Sequence, residues 1–492
     1  MTTILQIRRL AAVGVALGAL LLGAACSDFF DVKNTNQPNL EDLITNPTRT
    51  KLSAAATGVF ASARGDIQGH IWRLGSLGRE GINLSGNNQP DYQEPYFLPA
   101  LIGSGFGGAL WLGRYAAIRN VNIYLTGLER VGTGEVSTAE KAASRGMANT
   151  MKALAFMYLI VTRDSLGAPV DVDIPITAPP APFVAKDSVY GYIIGLLDSA
   201  EADLVTAGTT AFPFPIPPGL SGLAPGALDF STPATFIKFN RALAAKAEVL
   251  RATAGTCAGT PTNCWNAALT ALSASFIDDN PATYRQGAYF DFSNAAGDVS
   301  NGLSEPVNGV TFYAHPSDSV DAQLQLGGNP DQRVIDKIVA AQDTQVLGGI
   351  PDIPGEQKFT LYFTGGQADP ARPIPIIRNE ELILLRAEAN IALSNLAAAV
   401  IDIDSVRVNS GGLPLYAGLV TQPALLTELL YNRRYSLLWE QGTRWIDARR
   451  YGRLNTIPKS PPTGGDVAPV MPVPDAECNA RGKGSGCTPL IP

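Results

Sequence analysis

Histidine is nearly missing from this chain. Its 492 residues contain two, His70 and His315, both in stretches that read as loops. A Ser/His/Asp or Cys/His centre needs a histidine held between its nucleophile and an orienting group, and neither position offers that setting. Charge is also scarce, at 16% of residues, and it contains no basic block. The formal net charge is -7, and loss of Arg8 and Arg9 with an export leader makes the mature chain more acidic still. A chain of this balance is poorly suited to a phosphate backbone, which excludes nucleic acid as the expected partner. Long apolar runs are confined to residues 10–25, so no second segment reads as a membrane span.

Cysteine is sparse but placed in a pattern. Of the five, Cys26 follows the small residues Gly23-Ala24-Ala25, and the other four form two local pairs, Cys257 with Cys264 and Cys478 with Cys487. Arg8 and Arg9, the apolar run and the small residues before Cys26 together read as a signal peptide over residues 1–25, cleaved before a cysteine that takes a lipid. An exported chain meets an oxidising compartment, where two short-loop disulfides are the simplest assignment for the remaining cysteines. The spacings are not those of a zinc site, and the histidines to complete one are missing. No cofactor is expected.

What is abundant is material for a core and for loops. Hydrophobic residues make up 46%, with 49 glycines and 36 prolines. Residues 26–42 read as a lipidated tether, and 43–492 as one body. Helical periodicity is expected over 43–63 and 109–128. It is clearest where Met147, Met151, Leu154, Tyr158 and Val161 recur on one face before Gly167 and Pro169. Further helices are expected from Lys186-Asp187-Ser188 through Leu204, at 232–253, 264–276, 379–393 and 395–409, and over 423–441 with a short one at 443–450. Residues 65–105 and the proline-rich 211–226 read as loops. The segment 277–375 is loop-rich with short β-type runs at 310–313 and 358–363. Helical pairs thus occupy 43–276 and 376–455, with a Pro/Gly-rich tail at 456–492. The expected fold is mostly α, built of tetratricopeptide-like helix pairs without a strict 34-residue consensus.

Five blocks in order carry a resemblance. They are CSDFFDVKNTNQP, MKALAFMYLIVTRDSLGAPV, PIPIIRNEELILLRAEANIAL, NRRYSLLWEQGTRWIDARRYGRL and VMPVPDAECN. Together they resemble the SusD/RagB family across nearly the whole mature chain. The resemblance implies an outer-membrane lipoprotein, exposed on the cell surface, that captures a nutrient, most often a glycan, and passes it to a TonB-dependent transporter of the SusC type. It implies a binding protein and not an enzyme. A peptide ligand, a surface hydrolase and a purely structural lid on the transporter are the alternatives.

Two motifs have plainer readings than their chemistry suggests. Glu440, Arg444, Asp447, Arg449 and Arg450 crowd the C-terminal block. A helix explains them, with Tyr431, Tyr435, Leu438, Gly442 and Trp445 as an apolar stripe and Glu440–Arg444 as an i, i+4 pair. Gly103-x-Gly105-x-x-Gly108 matches a dinucleotide fingerprint, but Pro95 and Pro99 disfavour the strand that should precede it, so it reads as a glycine-rich loop entering a helix. Asp171 and Asp173 lack the rest of a calcium loop.

Candidate ligand contacts are aromatics exposed in loops beside amides, since a sugar's C–H face stacks on a ring while its hydroxyls need planar polar partners. Two regions supply the mixture. Residues 83–97 offer Asn83, Asn87, Asn88, Tyr92 and Tyr96, and residues 284–313 offer Tyr284, Arg285, Tyr289 and Phe292.

Overall fold

The computed structural model describes residues 40–85, 90–97, 100–175, 177–255, 257–346, 354–459 and 466–487. The expected signal peptide, Cys26 and most of the expected tether lie outside these.

The described chain begins with α1 (Leu40–Thr45), α2 (Arg49–Arg64), α3 (Ile67–Gly78), β1 (Gly81–Asn83), α4 (Pro90–Phe97), α5 (Leu112–Arg130) and α6 (Thr138–Arg163). It continues through α7 (Lys186–Ala207), α8 (Pro233–Thr253) and α9 (Pro261–Ser273). The middle holds β2 (Gly287–Phe290), β3 (Phe312–Ala314), α10 (Pro316–Val320), α11 (Gln332–Lys337), β4 (Ile338–Val346), β5 (Pro354–Phe359), β6 (Phe363–Thr364), β7 (Gln367–Ala368) and β8 (Ile374–Arg378). Last come α12 (Asn379–Ala392), α13 (Leu396–Asn409), α14 (Gln422–Ser436), α15 (Thr443–Arg450) and α16 (Asp475–Ala480).

Helices pack in series. α2 lies on α5, α5 on α6, α6 on α7, α7 on α8 and α8 on α9; α9 then meets α12, which packs on α13 and α14. This is the expected row of helix pairs. The strands form small antiparallel pairs, β1 with β3, β2 with β8, β4 with β5 and β6 with β7. β2 to β7 lie in the stretch expected to be loop-rich, with β8 at its end and β1 outside it.

The sequence accounts for α6 well. Ser137 caps its start, accepting the Glu140 N–H at 3.3 Å, while the Glu140 carboxylate accepts the Ser137 N–H at 2.8 Å. The predicted Met147–Val161 stripe is buried, but so is every residue from Met151 to Arg163. A helix enclosed on all sides is a central one, and α6 is wrapped by α5, α7 and the C-terminal segment.

The stretch 65–105 differs from expectation: it contains α3, β1 and α4. Its glycines are contact points between elements. A Cβ on Gly75 would lie 2.7 Å from the Trp439 ring, and one on Gly78 would lie 3.0 Å from the Trp445 backbone nitrogen. Proline supplies the first residue of α4, where no intrahelical N–H is needed.

The C-terminal block differs too. α14 stops at Ser436, and Trp439 (φ 60°) and Gly442 (φ 63°) turn the chain before α15 begins. Glu440 and Arg444 therefore share no helix. Glu440 instead pairs with Arg378 at 2.8 Å and Lys337 at 3.3 Å, while the Arg444 guanidinium faces Asp318 and Asp321. The structural reading of the block holds, through different partners. Asp447, for instance, ties Arg433 at 2.7 Å and Arg450 at 2.9 Å in the interior.

Both expected disulfides are present. Cys257 is bonded to Cys264 with Cα atoms 5.9 Å apart, and Cys478 to Cys487 at 5.6 Å. Among the described residues no helix is long and apolar enough to cross a membrane.

Candidate functional site

A cleft of about 610 Å³ opens where β2, β8, α11 and the 360–363 turn meet. Its size lies within the range of about 300–1,000 Å³ usual for ligand sites. The strand β8 sets its floor. Arg378 stands at the end of that strand, and its guanidinium donates to Glu440 at 2.8 and 3.1 Å, to Glu380 and to the Ser436 carbonyl. Lys337, at the end of α11, donates to the carbonyls of Tyr435 at 3.0 Å and Ser436 at 2.6 Å. These are among the last carbonyls of α14, where the helix leaves acceptors unpaired and favours positive charge. Arg333 is held at its back by Asp331 and by the Ser436 hydroxyl at 3.0 Å.

This floor is electrostatically settled. Burial works to raise the Glu380 carboxyl, but Arg378 and the Ser436 hydroxyl outweigh it and hold it down at about 2. Burial lowers Lys337, against the pull of Glu440. A general acid for glycoside cleavage needs a carboxyl held up, not down, so Glu380 is a fixed counter-charge and unsuited to that task.

The walls are less committed. Arg285 reaches Asp336 at 3.3 Å with its side chain 80% exposed. Arg372 has its backbone pinned, the N–H on the Asp369 carbonyl at 2.9 Å and the carbonyl accepting Asn301 Nδ2 at 2.9 Å. The residue is half-buried, and its guanidinium has no hydrogen bond or ion pair among the described residues. Tyr284, Tyr289, Tyr362 and Phe363 complete the aromatic part of the lining.

Of the sequence candidates, the structure brings Tyr284, Arg285 and Tyr289 together at this cleft. The tyrosines are not exposed platforms. Tyr284 is 3% exposed with its hydroxyl against Ser405, and Tyr289 is 8% exposed with its hydroxyl donated to the Arg285 carbonyl. They can offer an edge but no open ring face. Phe292 is buried beneath the Arg64 guanidinium, 5.3 Å from its centroid, away from the cleft. Tyr96 is 1% exposed, donates to the Gly81 carbonyl at 2.9 Å and lies under Arg79; it packs with Ile82, Leu84 and Tyr313 as part of a small core. Asn83 is buried on β1, its side-chain oxygen accepting the Ser85 N–H at 3.0 Å. Asn87, Asn88 and the side chain of Tyr92 lie outside the described residues. Lys337, Arg372 and Arg378 were not singled out in the sequence. The one hint was the pair of arginines bracketing the apolar run 373–377.

Elsewhere, buried carboxylates hold loops in place. Glu94 accepts the N–H groups of Ile102, Phe106 and Gly107, each at 3.0 Å. Two of those amides belong to the Gly103–Gly108 loop and the third just precedes it, so an internal carboxylate fills the loop's anion-accepting N–H groups. Neither histidine is in an open loop. His70 is buried in α3, and His315 precedes α10 and caps it, accepting the Ser317 N–H at 3.1 Å. Burial holds both imidazoles well below their usual range.

No family profile and no curated protein matches the chain by sequence. Solved structures do match in fold. A SusD superfamily protein from Bacteroides vulgatus aligns over 89% of this chain and 98% of its own, with 15% identity and a TM-score of 0.61. A laminarin-binding SusD-like protein aligns over 89% and 99%, with 16% identity and a TM-score of 0.61. NanU of B. fragilis aligns over 88% and 94%, with 15% identity and a TM-score of 0.57. At these identities the likeness speaks to architecture, and the chain has the SusD fold.

Proposed function

We propose that the protein captures a glycan at the outer surface of the outer membrane, anchored by a lipid on Cys26, and passes it to a TonB-dependent transporter. The observation that carries this reading is the fold, shared along nearly the whole chain with a laminarin-binding protein. The cleft supports it: hydroxyls, carboxylates and guanidinium groups converge on a volume suited to a few sugar rings. Capture without cleavage is the chemistry its settled floor favours, since each inner carboxylate is tied to a cation. Hand-over asks only that the ligand be held in a cleft open to a second surface.

The test is a binding screen of the chain from residue 27 onward against oligosaccharide and peptide panels, with product analysis of every binder. The reading expects an oligosaccharide to be retained intact. Peptide binding alone, or hydrolysis of a bound sugar, would overturn it.

A further inference from the structure

The cleft runs against the charge of the protein that contains it. The chain is acidic, at -7. The cleft lining nevertheless carries five cations, Arg285, Arg333, Lys337, Arg372 and Arg378, against three carboxylates, Asp336, Glu380 and Glu440. The inner cations are used up. Arg378 and Lys337 share Glu380 and Glu440, and Arg333 is taken by Asp331. The excess therefore falls on the wall. Arg285 holds Asp336 only at 3.3 Å and in solvent, where such pairs contribute little. Arg372 makes no ion pair among the described residues, although its charge reaches the Asp369 carboxylate and helps to lower it. The nearest carboxylate in sequence, Asp369, is engaged by the Thr364 hydroxyl at 2.6 Å and the Ala371 N–H at 2.9 Å.

We infer that the cleft selects an anionic sugar, with the Arg372 guanidinium receiving a carboxylate or sulfate ester and Arg285 adding a second positive group at the rim. This deepens the proposed capture of a glycan and rests on it. The chemistry favours arginine in this role. A guanidinium presents parallel N–H donors that match the two oxygens of a carboxylate or the edge of a sulfate. The Arg372 backbone is fixed at both the N–H and the carbonyl, which places the base of its side chain at the cleft wall. The sugar ring then meets the edges of Tyr289 and Tyr362 and the Thr360 hydroxyl, all in the lining.

The experiment is calorimetric titration of the chain from residue 27 onward with three probes: oligogalacturonate, a sulfated galactan oligosaccharide and a neutral β-glucan oligosaccharide. Arg372→Gln and Arg285→Gln are titrated alongside, with a melting curve for each. The inference expects one of the charged probes to bind and the neutral one to bind far more weakly. Which charged probe binds tells carboxylate from sulfate ester. Arg372→Gln is expected to lose about 10- to 100-fold in affinity, the range for a charge-assisted hydrogen bond, and Arg285→Gln less, both with unchanged melting temperature. Binding should weaken as salt rises. Binding of the neutral probe equal to or above the charged ones overturns the inference and leaves glycan capture standing, as does charged-probe binding unaffected by Arg372→Gln. Binding of none of the three probes overturns the inference, and retention of peptides alone in the binding screen overturns the proposed glycan capture as well.

Discussion

Trp439 donates its backbone N–H to the Glu80 carboxylate at 3.0 Å, across 359 residues of sequence, from a backbone held at φ 60°. The second oxygen of Glu80 accepts the Arg444 N–H at 2.9 Å. One carboxylate thus fixes the turn between α14 and α15, and the Trp439 ring fills the space left by Gly75 and Gly81.

This clasp is expected to be sensitive to pH. Burial pushes the Glu80 carboxyl up to about 7, against the lowering effect of the two N–H groups. A folded pKa above the unfolded one means that the fold favours the protonated form. The associated stability is fully present below the unfolded glutamate value and is lost as pH rises through about 7. The loss between pH 6 and pH 8 is about 1–1.5 kcal/mol. Asp318, raised by burial to about 6, adds a loss at lower pH. The two buried histidines act in the opposite sense, adding stability as pH rises towards their unfolded range. Glu80→Gln isolates the first effect: relative to the parent, its melting temperature should rise between pH 6 and pH 8. Parallel curves would show that Glu80 does not titrate there.

Tyr96 is expected to be a packing residue. Tyr96→Ala removes a ring from a small core and a hydroxyl from the Gly81 carbonyl, and should cost about 3–5 kcal/mol in a denaturation curve. A variant that melts with the parent but loses ligand would return Tyr96 to the binding site.

Each disulfide closes a short loop, of sequence separation 7 and 9. Non-reducing peptide mapping should recover Cys257–Cys264 and Cys478–Cys487. On the chain-entropy account, breaking either should cost about 2–3 kcal/mol and loosen its loop while the helices persist. Crossed pairs or free thiols would contradict the assignment.

Cys26→Ala is expected to release the exported protein from the membrane fraction. A variant that stays membrane-bound and uncleaved would make residues 10–25 an anchor.

Much of the helical body was legible from its long apolar segments, although α6 and α12 are buried on nearly every face and not on one alone. The Met147–Val161 run with its Gly167 and Pro169 stop, and the PIPIIRNEELILLRAEANIAL block, state their structure locally. The failures share a cause, which is a partner far away in sequence. Gly75 and Gly78 read as loop formers because the indoles that occupy their missing side chains come from residues 439 and 445. Glu440 and Arg444 read as a helical pair because nothing nearby announces the turn that Gly442 permits. The site was half visible for the same reason. Tyr284, Arg285 and Tyr289 stood out as aromatic and planar polar groups, but their burial, and their meeting with Lys337, Arg372 and Arg378, depend on the pairing of β2 with β8.

The most direct test of the account is a crystal structure of the chain from residue 27 onward with an oligosaccharide retained in the binding screen. The account predicts an intact sugar in the cleft bounded by Tyr289, Tyr362 and Arg372, with its polar groups on the walls and the Arg378–Glu440 floor undisturbed. A sugar bound on another face with this cleft empty, or a cleaved product within it, would contradict it.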